Sequence, residues 1–407
     1  MIVPYAQSAS MFGPEEIEAA KAVLDSGYMT IGRHVAAFEE AFAAWVGAPY
    51  AVMVNSGSSA NLLAVDAMLR RSRTEAPWRA GDEVLVPALA WPTTVWPLVQ
   101  LGLVPVFCDV DPATLALSLE SAETVLTERT RGVFLIHVQG LTPDMEPYVH
   151  FCARHGLTLL EDSCETIGAH SRGRHSGTFG KVGTFSSYFS HHICTIEGGL
   201  IVTSDAELRD DLLSARSHGW ARDRSDRDWW AKAYPGIDAR FMFVTTGYNV
   251  RPTDLQGAIG CVQVRKLDEM LERRETIAWR MGAWLSRSAP WLRLVGVEWM
   301  PEAGAEVPRR TRRNSWMSMM MMLSADAPID LAGLRAHLTA HAVESRPIIA
   351  GNLTRHPGAR RYAGRRANSL AVADEVLDRG IMLGCHPYPV AGSLETLEAA
   401  FSSLGRL

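Results

Sequence analysis

Short apolar runs alternate with amphipathic stretches through the first 270 residues of the chain. The runs at Tyr50–Val54, Glu83–Val86, Val104–Cys108, Val133–His137 and Leu157–Glu161 predict strands. Between them, apolar positions spaced as on one helical face predict helices over Ser59–Leu69, Thr93–Leu101 and Met145–His155. An earlier helix opens at Pro14-Glu15-Glu16-Ile17, with proline in its first turn and acids at its positive end, and closes at Gly27. Apolar strands separated by helices predict a parallel sheet covered on both faces. In such sheets ligands sit beyond the carboxyl ends of the strands.

A helical pattern follows Pro252 and runs to about Ser286, after which the order changes. Strands are expected at Ser315–Leu323, Ala342–Arg346 and Gly380–Leu383, and helices at Leu331–His341, Ser369–Leu377 and Ser393–Leu404. The fold class is therefore α/β. A large domain with a mostly parallel sheet is expected over residues 1–270, and a smaller C-terminal α+β domain over 271–407, joined by the long helix. Arg309-Arg310-Thr311-Arg312-Arg313 reads as a solvated loop, with a phosphate contact as the minority reading.

The composition narrows the class. Among 407 residues, 40 Lys and Arg stand against 45 Asp and Glu, a net charge of -5, which argues against a nucleic-acid footprint. No apolar run approaches the roughly 20 residues of a membrane span. Met1-Ile2-Val3-Pro4-Tyr5 shows no basic region followed by an apolar stretch, so no secretory signal is expected. The 6 cysteines are scattered singly, without a metal or cluster spacing, as in a reduced cytoplasmic protein that binds no metal.

Four segments hold candidate chemistry. Asn55-Ser56-Gly57-Ser58-Ser59-Ala60-Asn61 lies where a strand turns into a helix, so its small residues let backbone N–H groups face a phosphate; an ordinary capped helix has the same composition. Asp162, in Glu161-Asp162-Ser163-Cys164-Glu165, ends a predicted strand and can point into a site, or act as a cap or ion-pair partner. Between Thr184 and Gly199 stands the pair His191-His192, and Gly247–Pro252 contains Asn249. Histidine titrates near neutrality, which suits proton transfer.

In order and spacing these segments resemble the sugar-modifying branch of the fold-type-I aminotransferases, the DegT/DnrJ/EryC1/StrS family, over almost the whole chain. Ala51-Val52-Met53-Val54, Ala90-Trp91-Pro92-Thr93-Thr94, Ser217-His218-Gly219-Trp220 and Arg346-Pro347-Ile348 extend the likeness to the family's sugar dehydratases. The resemblance implies pyridoxal 5'-phosphate (PLP) or its amine form, pyridoxamine 5'-phosphate (PMP), as cofactor. It implies that Gly57, Ser58 and Ser187 meet the phosphate, that Asp162 pairs with the ring nitrogen, that Trp91 stacks on the ring and that Glu165 lies near the ring hydroxyl. Asn249 would reach the phosphate from a second subunit, so a homodimer with shared active sites is expected. His218 would be a second catalytic candidate near the substrate, and Glu344, Arg346 and His386 would bind the substrate.

Aminotransferases of this family keep a lysine at the turn after Ser190, whose amine joins the cofactor covalently. The resemblance puts His192 in that seat, with His191 beside it. An imidazole cannot form such a link, so the cofactor would be held non-covalently and work in its amine form, with His192 as acid and base. The implied reaction removes the C3 hydroxyl of a nucleotide-linked 4-keto-6-deoxy sugar, and L-glutamate restores the amine form. GDP is the expected nucleotide; dTDP, CDP and UDP stay open, because Arg222–Arg240, Ile196-Glu197 and Asn352-Leu353-Thr354-Arg355 depart from the dehydratase pattern. Two other readings stand: an aminotransferase adapted to histidine, and an inactive homologue that binds cofactor or sugar. The lack of a Cys-x-Cys pair separates the chain from the iron–sulfur dehydrase of the same kin.

Overall fold

The computed structural model describes residues 2–5, 11–70, 77–299, 311–362 and 364–405. Strands Tyr50–Val54 (β1), Glu83–Pro87 (β2), Val104–Cys108 (β3), Thr130–Ile136 (β4) and Thr158–Asp162 (β5) lead to a small hairpin, His170–Ser171 (β6) and Arg174–His175 (β7). Val182–Ser186 (β8) and Gly199–Thr203 (β9) follow, then Leu292–Leu294 (β10), Ser318–Leu323 (β11), Arg365–Arg366 (β12) and Gly380–Gly384 (β13). The main sheet has the order β1-β9-β8-β5-β4-β2-β3-β12. Its pairs are parallel except the two that β9 makes with β1 and β8. Strands β2 and β8 are buried at every residue, as expected where helices cover both faces.

The predicted strands of the first part form within a residue of their expected ends, except that β4 starts three residues before Val133, and β1 and β3 match them. Elements without a sequence prediction also appear: the helices Arg33–Val46 and Ala206–Ala215, and strands β8 and β9. The strand expected at Ala342–Arg346 is irregular chain with two isolated bridges, Val3 to Val343 and Arg346 to Met382. The helix Asp254–Ser288 begins at a capping box of Thr253 and Gln256 and spans 35 residues.

The second part does not separate cleanly at residue 271. Strand β12 adds to the large sheet beside β3, and Ile348, Leu353 and Val376 share one core with Leu85 and Val106. Strands β10, β11 and β13 form the smaller antiparallel sheet. Alternation along β11 explains the shared wall: Met320 and Met322 enter the large core, whereas Met319 and Met321 enter the small one with Trp284, Leu338 and Phe401.

Of the arginine stretch, residues 309 and 310 lie outside the described residues. Arg312 is buried rather than solvated, paired with Glu275 at 3.1 Å, and Arg313 donates to the Thr142 carbonyl at 3.2 Å. Both arginines thus tie the chain to the domain interior. Among the described residues, no helix is long and apolar enough to cross a membrane.

Candidate active site

A cleft of about 630 Å³ opens at the carboxyl ends of β1, β5 and β8, the end where the strand order places ligands. The helix Gly57–Met68 begins on its floor. Ser56 caps that helix by accepting from the Ser59 N–H at 3.1 Å, which leaves the first-turn N–H groups of Gly57 and Ser58 at its positive end. A Cβ on Gly57 would meet Ser186 Cβ at 2.7 Å and Cys164 Sγ at 2.9 Å, so only glycine lets the end of β8 come so close. Ser58 Oγ donates to Thr93 Oγ1 at 2.9 Å across the cleft floor.

Asp162 ends β5 and is 5% exposed. One of its oxygens accepts from Asn61 Nδ2 at 2.8 Å and Thr94 Oγ1 at 2.6 Å; the other accepts from the Cys164 N–H at 3.0 Å. Three donors thus fix a carboxyl in the cleft wall, and among the described residues no cation pairs with it. Glu165 accepts from the Gln139 N–H at 3.2 Å, and burial together with the charge of Asp162 pushes its carboxyl up to about 8. Trp91, at the start of the helix Pro92–Gln100, is 54% exposed, so it is no core residue and presents its ring to the cleft.

Beyond Ser186 the chain turns, with the His191 N–H donating to the Tyr188 carbonyl at 2.9 Å. His191 lines the cleft. Burial and the Arg274 guanidinium hold its imidazole down to about 4, so the ring is neutral at neutral pH. Its Nδ1 is buried and, among the described residues, has no hydrogen-bond partner; Tyr188 packs edge-on to it with ring centres 5.8 Å apart. His192 does not line the cleft. Its side chain is fully buried on the other side of the turn, with Nε2 3.1 Å from the Ser315 carbonyl, and burial holds it well below the usual histidine range. The expectation for His192 is thereby corrected: the imidazole that reaches the cleft is that of His191.

The same one-residue shift applies upstream. Ser187 is fully buried, with Oγ 2.6 Å from Thr195 Oγ1, away from the cleft that Ser186 lines. Successive side chains of a strand face opposite ways. Thr184 and Ser186 face the helix Gly57–Met68, where Thr184 Oγ1 donates to Asn61 Oδ1 at 2.6 Å, while Phe185 packs on Phe42.

Of the substrate-side candidates, Arg346 lines the cleft, its guanidinium over the Tyr5 ring at 5.3 Å. Glu344 and His386 do not line it. They bind the main chain of the N-terminal segment, Glu344 accepting from the Tyr5 N–H at 2.9 Å and His386 Nε2 lying 2.9 Å from the Pro4 carbonyl. His218 and Asn249 are exposed outside this chain's cleft, brought together by the bridge between Ser217 and Asn249. Asn61, Thr94, Gln139 and Tyr5 join the site without having been singled out; Asn61 and Thr94 stood inside quoted motifs, their role hidden until β5 came between them.

A mostly parallel sheet, a smaller antiparallel sheet and a cleft at the strand ends with a carboxyl, a helix start and an aromatic ring define the fold-type-I aminotransferase class. Residues 11–396 match the DegT/DnrJ/EryC1/StrS aminotransferase family, and the chain belongs to that family. It is similar to the GDP-4-keto-6-deoxy-D-mannose 3-dehydratase of Yersinia pseudotuberculosis, 32% identical over 98% of this chain and 98% of that one. Among solved structures it resembles a GDP-4-keto-6-deoxymannose-3-dehydratase variant, histidine to asparagine, with bound GDP-perosamine (TM-score 0.87, 32% identity, 98% of this chain and 100% of that one). It also resembles a variant of that dehydratase in which a serine and the histidine after it are replaced by asparagine and lysine (TM-score 0.85, 32% identity, 96% of this chain and 100% of that one).

Proposed function

We propose that the protein is a PLP/PMP-dependent dehydratase that removes the C3 hydroxyl of a nucleotide-linked 4-keto-6-deoxy sugar, GDP-linked as in its relatives, with L-glutamate restoring the amine form. The observation that supports this most is the lining of the cleft: His191 stands there, and among the described residues no lysine does. Without a lysine amine in the lining, the cofactor would be held there non-covalently.

The residues present fit the cofactor. Asp162, held by three donors, suits a pyridinium nitrogen, and the start of the helix Gly57–Met68 with Ser58 and Ser186 suits a phosphate. The exposed face of Trp91 suits a flat ring. Glu165, with its raised carboxyl, suits the ring hydroxyl as a hydrogen-bond donor. When bound, the cofactor supplies an electron sink. His191, neutral and with an Nδ1 that has no hydrogen-bond partner among the described residues, would accept a proton at the cofactor's methylene carbon and return one to the departing hydroxyl oxygen. Ser190-His191 is the serine–histidine pair of this chain's turn, as in the solved variant in which such a pair was exchanged. His218 and Asn249, exposed beside each other, are read as reaching the cleft of a second subunit in a cytoplasmic homodimer.

The test is incubation with PLP, L-glutamate and a panel of nucleotide-linked 4-keto-6-deoxy sugars. Release of 2-oxoglutarate and ammonia with loss of one oxygen from the sugar is expected. Accumulation of an amino sugar selects an aminotransferase instead, and a cofactor that binds but never changes form selects an inactive homologue.

A further inference from the structure

The N-terminal segment Ile2–Tyr5 crosses between the two cores. Val3 is buried in the small core and bridges Val343, its N–H donating to the Ala342 carbonyl at 2.8 Å. Two residues on, Tyr5 packs against the large core and lines the cleft with Arg346 and Met382. Two side chains from the C-terminal part grip the main chain between these points: Glu344 takes the Tyr5 N–H, and His386 meets the Pro4 carbonyl. Neither grips a side chain, so what they fix is where Tyr5 sits.

The phenol itself is lightly held. Among the described residues, Tyr5 Oη donates only to Met382 Sδ at 3.6 Å, and a thioether is a weak acceptor. A ligand oxygen offered at the same place gains more than the sulfur loses. Burial keeps the phenol protonated, so it acts as a donor, with the Arg346 guanidinium above its ring. A donor and a cation side by side suit a ligand rich in oxygen.

We propose that Ile2–Tyr5 is a strap whose Tyr5 hydroxyl contacts the sugar of the substrate, and that Glu344 and His386 are positioning residues for it rather than substrate ligands. This rests on the sugar-dehydratase reading for the identity of the ligand, though not for the strap.

Steady-state kinetics and hydrogen exchange of the N-terminal peptide together test it. Tyr5→Phe is expected to raise KM for the nucleotide sugar by roughly fivefold or more, with conversion of PLP to PMP by L-glutamate unaffected. Glu344→Ala should raise the same KM and speed exchange at the Tyr5 amide. Glu344→Gln, whose amide oxygen still accepts that N–H, should restore both. Equal damage from Glu344→Gln and Glu344→Ala overturns the positioning role, since it points to the charge itself meeting the ligand. An unchanged KM in Tyr5→Phe overturns the sugar contact. A wild-type protein that handles no nucleotide sugar overturns the functional reading and the sugar contact with it, while exchange at the Tyr5 amide in the two Glu344 variants decides the strap by itself.

Discussion

Adjacent histidines with opposite surroundings offer a paired experiment. His191 lines the cleft and His192 is sealed against the Ser315 carbonyl. Replacing His191 with Asn removes the proton carrier, and general acid–base catalysis is worth about 10²- to 10⁴-fold. Turnover should fall by that factor while PLP and PMP still bind, because no residue assigned to the cofactor's phosphate or ring is touched. His192→Asn loses one hydrogen bond and some packing, a cost of about 1–2 kcal/mol. The thermal midpoint should drop by a few degrees, and turnover per folded molecule should stay within a few-fold. The pH profile adds a second readout. With His191 held to about 4, neutral imidazole exceeds the protonated form about a thousandfold at pH 7. The acid limb of the rate should therefore lie near 4, well below the usual histidine range. Stability follows the same group. Between 6.5 and about 4 the unfolded chain binds a proton that the folded chain refuses, so wild-type stability declines as pH falls through that window and His191→Asn should decline less. Loss of turnover on changing His192 but not His191 refutes the assignment, and an acid limb near 6.5 refutes the electrostatics.

Other outcomes can be checked alongside. Gly57→Ala forces its Cβ against Ser186 and Cys164, so PLP loading, read from cofactor absorbance, should fall sharply while the far-UV spectrum is retained. His137 and Glu161 form a fully buried pair at 2.9 Å, and Glu161 also accepts from the Gly177 and Gly180 N–H groups. Glu161→Ala strands these donors and should destabilise by about 3–5 kcal/mol, measured by chemical denaturation. If Asn249 serves a partner's cleft, mixing inactive His191→Asn and Asn249→Ala chains should recover about a quarter of the sites. No recovery after subunit exchange places Asn249 in its own chain's chemistry.

The strands were legible because a buried parallel strand announces itself as an apolar run, and β1 and β3 needed nothing more. Motif position was legible too, since Asp162, Gly57, Trp91 and Arg346 all meet at one cleft. What the residues alone did not resolve was facing. At the end of β8 a slip of one position exchanges Ser186 for Ser187, and the turn beyond repeats the slip in His191 and His192. The alternation of Thr184 and Ser186 against Phe185 was the available signal. Glu344 and His386 misled for another reason: their partners are main-chain atoms some 340 to 380 residues away in sequence, which no local pattern encodes.

Strand β12 has a mechanical consequence. Its ladder with β3 is reinforced where Asp109 accepts the Val372 and Ala373 N–H groups at 3.0 and 2.9 Å, and where the Leu353 N–H reaches the Ala88 carbonyl at 2.8 Å. The C-terminal part is riveted to the sheet at three places, so it cannot swing as a free jaw. Bending that part away from the cleft would break hydrogen bonds of the main sheet itself, so motion that admits a bulky ligand costs least at the rim.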